Sequence, residues 1–196
     1  MPEITIKPAT KRDTSYVAAH MRQIDRDEIY CQMDKPCPLT LTYYHLTTSK
    51  RHAYNAFLKG KPVAAYGLCE PRPGLGELWA FGTDEIYPAL RAITDQIRYE
   101  ITPDVFADER VKRVECKSSF AHSQAHGWIE SIGFRRSPHP LHNWGKNGEH
   151  FWLFELTREA LGEKTYEQHL KEMEHVRRRS PSSTSAPTPA RPTVAV

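Results

Sequence analysis

Two histidines, His122 and His126, are the side chains whose spacing most directly suggests chemistry. They stand four residues apart in a stretch typical of a helix, so both rings would lie on one face, a geometry able to ligate zinc. No clear third or fourth ligand accompanies them, and we therefore predict no metal site. His122 alone could do acid–base work near pH 7; the alternative is a partly exposed polar residue at a helix start.

The chain lacks the other common catalytic motifs. It contains no P-loop, no H-E-x-x-H sequence and no Ser-His-Asp motif. Its four cysteines form no C-x-x-C pair, so we expect free thiols in a reducing compartment. A Pro-rich segment with His139, His142 and Trp144 either lines a cleft or is a surface loop.

The elements that must position these residues follow from hydrophobic periodicity. Apolar residues at three- and four-residue spacings predict helices over residues 11–26, 40–50, 88–101 and 121–132. Strands are predicted over residues 3–7, 53–58, 63–69, 75–82, 111–117 and 151–156, with a short one after Phe134. The second, third and fourth strands form an antiparallel meander. The later strand-helix-strand units imply local parallel pairing. The predicted fold class is α/β, with one mixed sheet flanked by helices.

The chain changes character near its C-terminal end. A charged helix is predicted over residues 164–179, and its narrow apolar stripe could dock on the domain or meet a partner. From Ser180 onward almost no large apolar residue is present, so the segment cannot bury enough surface to offset its ordering entropy. We therefore predict a domain over 1–157, a charged C-terminal helix within 158–179 and a disordered tail over 180–196.

Charge and hydropathy exclude some classes of partner. The net charge of +3 is weak evidence for a polyanionic partner, and the one dense basic run, Arg177 to Arg179, suits a solvated helix end. The sequence thus gives no strong nucleic-acid signal. No stretch approaches ~18 apolar residues, which predicts no membrane span. The N-terminus lacks the apolar core of a signal peptide, so we expect synthesis in the cytoplasm.

A motif at the end of the predicted helix over residues 121–132 carries a family resemblance. Residues 128–134 read Trp-Ile-Glu-Ser-Ile-Gly-Phe, and Ala125 precedes them on the same helix. With the element order and the closing strand at 151–156, this resembles the GNAT acetyltransferase superfamily, whose domains commonly have a helix ending in Leu-Gly-Phe at this place. The resemblance covers roughly residues 3–157. It implies a GNAT-like single domain with a central mixed sheet.

Three further motifs narrow the resemblance. They are a Trp-x-Phe strand running into Thr-Asp (Trp79, Phe81, Thr83, Asp84), a Ser- and His-containing helix leading to Ile-Gly (Ser119, His122, Ile132, Gly133), and a closing Gly-x-x-Phe-x-Leu-Phe strand (Gly148, Phe151, Leu153, Phe154). Together they resemble the small GNAT-like internal virion proteins of short-tailed bacteriophages. That resemblance implies synthesis in the host cytoplasm, a place in the virion, and other virion or host proteins as partners.

The GNAT resemblance also implies a site for acetyl-CoA. In the family a splayed central strand pairs with the pantetheine, and a loop reading Gln/Arg-x-x-Gly-x-Gly/Ala holds the pyrophosphate at a helix N-terminus. The corresponding positions are Phe81, Gly82 and Thr83, followed by Asp84 and Glu85. This turn has one glycine and no initial Arg or Gln, and each carboxylate beside a diphosphate would cost about 1 kcal/mol or more. Thr83 or Asp84 is more simply a helix cap. We predict no cofactor, or acetyl-CoA if the chain is active.

The catalytic positions implied by the resemblance are altered as well. Ile129 stands where many GNATs have a Tyr that protonates the leaving thiolate, and His122 stands where the family often has Asn. Glu77 lies where some GNATs keep a carboxylate base, or it faces solvent. Two hypotheses follow. The first is a phage virion protein on a GNAT scaffold that acts through protein contacts. The second is an active acyltransferase that transfers an acyl group to an amine, with Glu77 or His122 catalytic.

Overall fold

A mixed sheet of seven strands forms the centre of the molecule. The computed structural model describes residues 3–49 and 51–159, so residues 160–196, which include the predicted helix over 164–179 and the predicted tail, lie outside the described part. The strand order is β1-β2-β3-β4-β5-β7-β6. The strands are β1 Ile4–Pro8, β2 His52–Leu58, β3 Lys61–Arg72, β4 Leu75–Gly82, β5 Arg113–Ser119, β6 Arg135–Arg136 and β7 Phe151–Thr157. The α/β fold class is therefore confirmed.

Two helices occupy the segment where periodicity predicts one. The helix predicted over residues 11–26 is wrong as a single element, since α1 covers Lys11–Ala19 and α2 covers Gln23–Tyr30. Thr10 caps α1, its hydroxyl oxygen accepting from the Asp13 N–H at 3.1 Å. The Arg22 N–H, between the helices, donates to the Gly82 carbonyl at 2.9 Å. This bond to β4 lies where the chain changes direction between the two helices, and no local sequence pattern predicts it.

The predicted meander forms as expected. Strands β2, β3 and β4 pair antiparallel in sequence order, with Tyr66 opposite Ala80. The β2–β3 turn places Lys59 and Gly60 at positive φ, which glycine adopts without strain. The preceding helix, α3, covers Pro38–Thr48 and packs on the same face of the sheet as α1.

The long helical segment after β4 is continuous but not uniform. A 3-10 turn at Tyr87–Ala89 leads into α4 Leu90–Gln96, a π-helical turn at Ile97–Ile101 and α5 Thr102–Ala107. Pro103 has no N–H to donate, and the π turn lies directly before it, where the regular bonding pattern must change. The segment therefore continues past the predicted end at residue 101.

Strands β4 and β5 pair in parallel over a short length only. Leu75–Glu77 register with Arg113–Glu115, and beyond these residues the two strands diverge. Strand β5 keeps its antiparallel pairing with β7 as far as Ser119. Helix α6, Ser123–Ile132, follows and ends at Gly133, whose φ of 119° suits glycine. The divergence opens the sheet beside α6.

Hydrophobic clusters cover both faces of the sheet. One joins the long helical segment and α6 to the sheet, and Ile93, Ile97 and Phe154 lie at its centre. The other joins α1 and α3 to β3 and β4 through Val17, Leu41 and Phe81. In the described part of the chain, no helix has both the length and the apolar character that a membrane crossing requires.

Candidate functional site

A cavity of about 720 Å³ opens where β4 and β5 diverge. It reaches through the sheet, because Tyr44 and His45 of α3 line one face and Trp128 and Ile129 of α6 line the other. The diverging strands form its sides, and α2 closes one end. Pockets of this size with apolar walls and a few convergent polar groups are typical of ligand sites.

Helix α2 bonds to both diverging strands through two carboxylates. The buried Asp25 carboxylate accepts from the Gly82 N–H at the end of β4, at 2.9 Å. Glu28, one helical turn later, accepts from the Ser119 N–H at the end of β5 at 3.0 Å and from the Ser118 hydroxyl at 3.1 Å. Since unpaired buried N–H groups are costly, these bonds hold the open end of the sheet together.

His122 lies between the two carboxylates. Its Nδ1 is 2.9 Å from Glu28 Oε2, and its Nε2 is 3.7 Å from Asp25 Oδ1. Only 5% of the residue is exposed, so the expectation of a partly exposed polar residue is wrong. Arg22 pairs with Asp25 through two nitrogens, at 2.7 and 3.0 Å. The result is a largely buried polar cluster in which both carboxylates have hydrogen-bond partners.

The turn after β4 is occupied by bonds within the protein. The Thr83 N–H donates to the Val63 carbonyl at 2.9 Å, and the Thr83 hydroxyl accepts from the Glu85 N–H at 3.3 Å. The Thr83 hydroxyl thus stabilises the turn itself. The next helical element, the 3-10 turn at Tyr87–Ala89, has Ile86 at its N-cap and no side-chain cap bond, so the predicted helix cap at Thr83 or Asp84 is wrong. Glu85 pairs with Lys61, and neither Asp84 nor Glu85 lines the cavity. Their carboxylates therefore do not fill the predicted phosphate position from within the cleft.

A side-chain bridge joins the 3-10 turn to α6 beside the cleft. The Tyr87 hydroxyl, on the 3-10 turn, donates to Gln124 Oε1 of α6 at 3.3 Å. The Arg22 guanidinium lies 5.6 Å from the centroid of the Tyr87 ring, a cation–π contact. The next residue, Pro88, has no N–H for a ligand at the start of the helical segment.

Glu77 lies at the point where the strands separate. Its Oε1 is 2.6 Å from Lys117 Nζ on β5, and its side chain is 32% exposed. Lys117 also lies 5.6 Å from the centroid of the Trp144 ring, which belongs to the loop between β6 and β7. Trp144 Nε1 donates to Gln32 at 2.9 Å, so this loop borders the cleft at Gln32. The Glu77 carboxylate, which the sequence analysis names as a candidate base, is therefore already ion-paired.

Aromatic rings form the wall on the α3 side. His45 stacks on Trp79 with ring centroids 4.1 Å apart, and Trp79 Nε1 donates to the Ser49 hydroxyl at 2.8 Å. Burial among these rings lowers the pKa of His45 to about 3, so its imidazole is neutral at physiological pH. This part of the cleft is uncharged.

The remaining candidate groups have structural partners. His126 Nε2 lies 2.9 Å from the Ser119 carbonyl, and its ring does not share a metal site with His122. Across residues 3–49 and 51–159, no cluster of His, Cys, Asp and Glu side chains is placed to hold a metal ion. Burial raises the pKa of Cys116, which lines the cavity, so its thiol is not ionised. Ile129 lines the cavity without a proton to give.

Some of the predicted site residues line the cavity and others do not. Glu77, Phe81 and His122 line the cavity, whereas Gly82 and Thr83 direct their N–H groups to Asp25 and Val63. Sequence reasoning missed the carboxylates of α2. Asp25 and Glu28 stand three residues apart, a spacing that puts both on one helical face, but the same pattern is common on solvated helices.

Three residues at the turn after β4 have no backbone donor free for the diphosphate of coenzyme A. Such a group needs several uncommitted N–H donors at a helix N-terminus. Here the Gly82 N–H serves a carboxylate and the Thr83 N–H serves β3, while Pro88 has none to offer. The Arg22 guanidinium, which lies over the Tyr87 ring, is paired with Asp25.

Solved structures with the same fold are acetyltransferases. Aminoglycoside acetyltransferase AAC(6')-Ib, in complex with ribostamycin and coenzyme A, is 15% identical, with a TM-score of 0.57 over 82% of this chain and 97% of that chain. A GNAT-family acetyltransferase from Bacillus anthracis is 13% identical, with a TM-score of 0.57 over 81% and 98%. The ribosomal-protein-S18-alanine N-acetyltransferase from Escherichia coli is 14% identical, with a TM-score of 0.55 over 79% and 94%. No family model and no curated protein matches the chain. The fold is therefore the GNAT acetyltransferase fold.

Proposed function

We propose that this chain is a GNAT-fold protein that does not use acetyl-CoA and that acts through contacts with other proteins. The observation that carries the proposal is the bond from the Gly82 N–H to the buried Asp25 carboxylate. That carboxylate takes the first backbone donor of the turn where the family binds pyrophosphate. An incoming diphosphate would have to displace this carboxylate, which its ion pair with Arg22 also holds in place.

The proposed location is a bacteriophage particle. Support for it comes from the sequence motifs alone, namely the Trp79 to Asp84 strand and turn, the Ser119 to Gly133 helix and the closing strand. In this proposal the protein is made in the host cytoplasm and packaged with other virion proteins. Mass spectrometry of purified particles should find it in stoichiometric amounts, and its absence from them would remove the virion role.

Calorimetry tests the loss of cofactor binding. Wild-type protein titrated with acetyl-CoA, and separately with desulfo-CoA, should give no saturable heat up to ligand concentrations on the order of 1 mM. Micromolar binding of either ligand would overturn the proposal. A catalytically competent acetyltransferase of the same fold serves as the positive control.

An acyl-CoA-dependent N-acyltransferase is the second candidate. One observation favours it: the cleft between β4 and β5 is present, and both Glu77 and His122 line it. In this alternative Glu77 would first have to leave Lys117 in order to accept a proton from an amine. Release of coenzyme A in the presence of a panel of primary amines, lost in the Glu77→Gln variant, would establish it.

A further inference from the structure

The diverging strands point backbone groups into the cavity. The Thr83 N–H bonds to β3 and the Gly82 N–H bonds to α2. Because alternate residues of a strand direct their N–H and C=O groups to opposite edges, those of Ala80 face the cavity, on the same side as Gly82.

The same argument applies to β5. The Phe120 N–H bonds to the His150 carbonyl next to β7, whereas the Ser119 N–H bonds to Glu28. The N–H and C=O of Lys117 therefore face β4 across the cavity. Within the described residues, the register between β4 and β5 ends at Glu77 and Glu115. Two facing strand edges thus lie on either side of the cleft.

The walls suit side chains that alternate in direction. On one face an entering strand would meet Trp79 and His45, and on the other it would meet Trp128 and Ile129. Successive residues of a strand point to opposite faces, which is the arrangement these two apolar walls accommodate. Among the charged groups that line the cleft, Glu77 is ion-paired with Lys117 and Arg22 with Asp25, whereas Asp34 and Lys35 line it from the loop between α2 and α3. An uncharged occupant is therefore favoured.

We propose that an extended, uncharged segment of a partner protein, rich in β-branched residues, inserts between β4 and β5 as an added strand. The inference rests on the proposed function, because it needs the cleft to be free of acyl-CoA. The open parts of the strands, residues 78–81 and 116–118, accommodate about three residues at ~3.3 Å each. Main-chain bonds to both neighbours supply affinity, and β-branched side chains fit the pleated walls.

The segment enters from the side opposite the Tyr87–Gln124 bridge. At that side the lining residues belong to the loop between α2 and α3, and include Gln32, Met33 and Lys35. Trp144 and Tyr44 flank this mouth, and 46% and 48% of their surfaces are exposed. Exposed aromatic residues of this kind are common at protein interfaces.

Amide-resolved NMR with a defined probe tests the proposal. The probe is the capped peptide acetyl-Ser-Thr-Val-Thr-Val-Ser-amide, and its control is the analogue in which an ester replaces the central amide and so removes one donor. Titration of the full chain should shift the Ala80 and Lys117 amides saturably, with an affinity on the order of millimolar. The ester should bind at least tenfold more weakly. Shifts spread over the surface, or equal binding of peptide and ester, would overturn the proposal.

Variants give a second readout. Ala80→Trp places an indole in the cleft and should abolish peptide binding, whereas Ala107→Trp, at an exposed position on α5, should leave it unchanged. If a chain ending at residue 179 binds the peptide and the full chain does not, the occupant is the protein's own tail and the partner proposal fails. This outcome is distinguishable from failure of the proposed function, because the proposed function fails only if acetyl-CoA binds.

Discussion

The two halves of the β4–β5 junction are held together by different means. In the closed half, Leu75–Glu77 and Arg113–Glu115 pair backbone to backbone as neighbouring strands do. In the open half the strands do not meet, and side chains of α2 bond to each strand separately. The closed half depends on the main chain and tolerates many side chains, whereas the open half depends on two carboxylates.

This difference shows how the ends of the two diverging strands are held within the protein. Splayed strands expose buried N–H groups that need acceptors. Asp25 and Glu28 supply acceptors at the strand ends, and they leave the middle of the cleft, around Ala80 and Lys117, open to another strand. In the proposed function, the same carboxylates would compete with an anionic ligand for these N–H groups.

Removing Glu28 should break the open half and have the largest effect. Glu28→Ala leaves the Ser119 N–H and the buried His122 ring without their acceptor, which should lower the free energy of unfolding by about 3 kcal/mol. Glu28→Gln keeps an acceptor oxygen and should cost about 1 kcal/mol. Urea unfolding measures both. A loss below about 0.5 kcal/mol for the alanine variant would contradict the role assigned to this carboxylate.

Matched glycine substitutions compare the two halves directly. At Gly82, in the open half, an added Cβ would overlap the Ile86 side chain and lie 2.9 Å from its Cβ. At Gly76, in the closed half, the nearest atoms are Val114 Cγ2 at 3.1 Å and Leu68 Cδ2 at 3.2 Å. Gly82→Ala should therefore cost about 2 kcal/mol and Gly76→Ala about 1 kcal/mol or less. Thermal unfolding would detect the difference, and the reverse order would be inconsistent with this packing.

The neutral His45 should make stability sensitive to acid. Burial holds the pKa of His45 at about 3, below the value of ~6.5 for an unfolded histidine. Between these pH values the unfolded chain binds a proton that the folded chain does not, so stability falls as pH falls, by up to ~1.4 kcal/mol per pH unit. His45→Phe keeps a ring on Trp79 and should flatten this slope between pH 6.5 and 4. His139→Phe, at an exposed position, is the control and should retain the wild-type slope.

The ion pair between Glu77 and Lys117, where β4 and β5 separate, should have the smallest effect on the free energy of unfolding. Glu77 and Lys117 are partly exposed, with side-chain exposures of 32% and 15%. Solvent screens such a pair, so Glu77→Gln should cost less than about 1 kcal/mol, and the cost should shrink further in high salt. Urea unfolding at low and high ionic strength measures this. A salt-independent loss larger than that of Glu28→Ala would reverse the ranking of the two halves.

The sequence predicts the sheet better than the site. Alternation and Gly-Pro turns are local, so β4 appears at Leu75–Gly82 as predicted, and Gly133 ends α6 as a left-handed cap. The break between α1 and α2 contains no Gly or Pro, and the Arg22 N–H within it bonds to the carbonyl of Gly82, which is distant in sequence. Hydrophobic periodicity depends on neighbouring residues and cannot predict a contact between segments that are distant in sequence.

The same reason limits prediction of the site. Glu77, Phe81 and His122 could be singled out because their elements align with a known fold. The role of Asp25 depends on Gly82, which lies far along the chain, and in sequence it looks like any acidic residue on a helix. Burial, rather than residue type, distinguishes it.

The most direct test of the central claim is the behaviour of the Gly82 and Thr83 amides when coenzyme A is added. We predict that neither amide signal of the wild-type protein moves at ligand concentrations on the order of 1 mM, because both N–H groups are already bonded to Asp25 and Val63. Saturable shifts of both amides at micromolar coenzyme A would show that the turn binds the diphosphate, and would contradict the claim that Asp25 has taken the place of the cofactor.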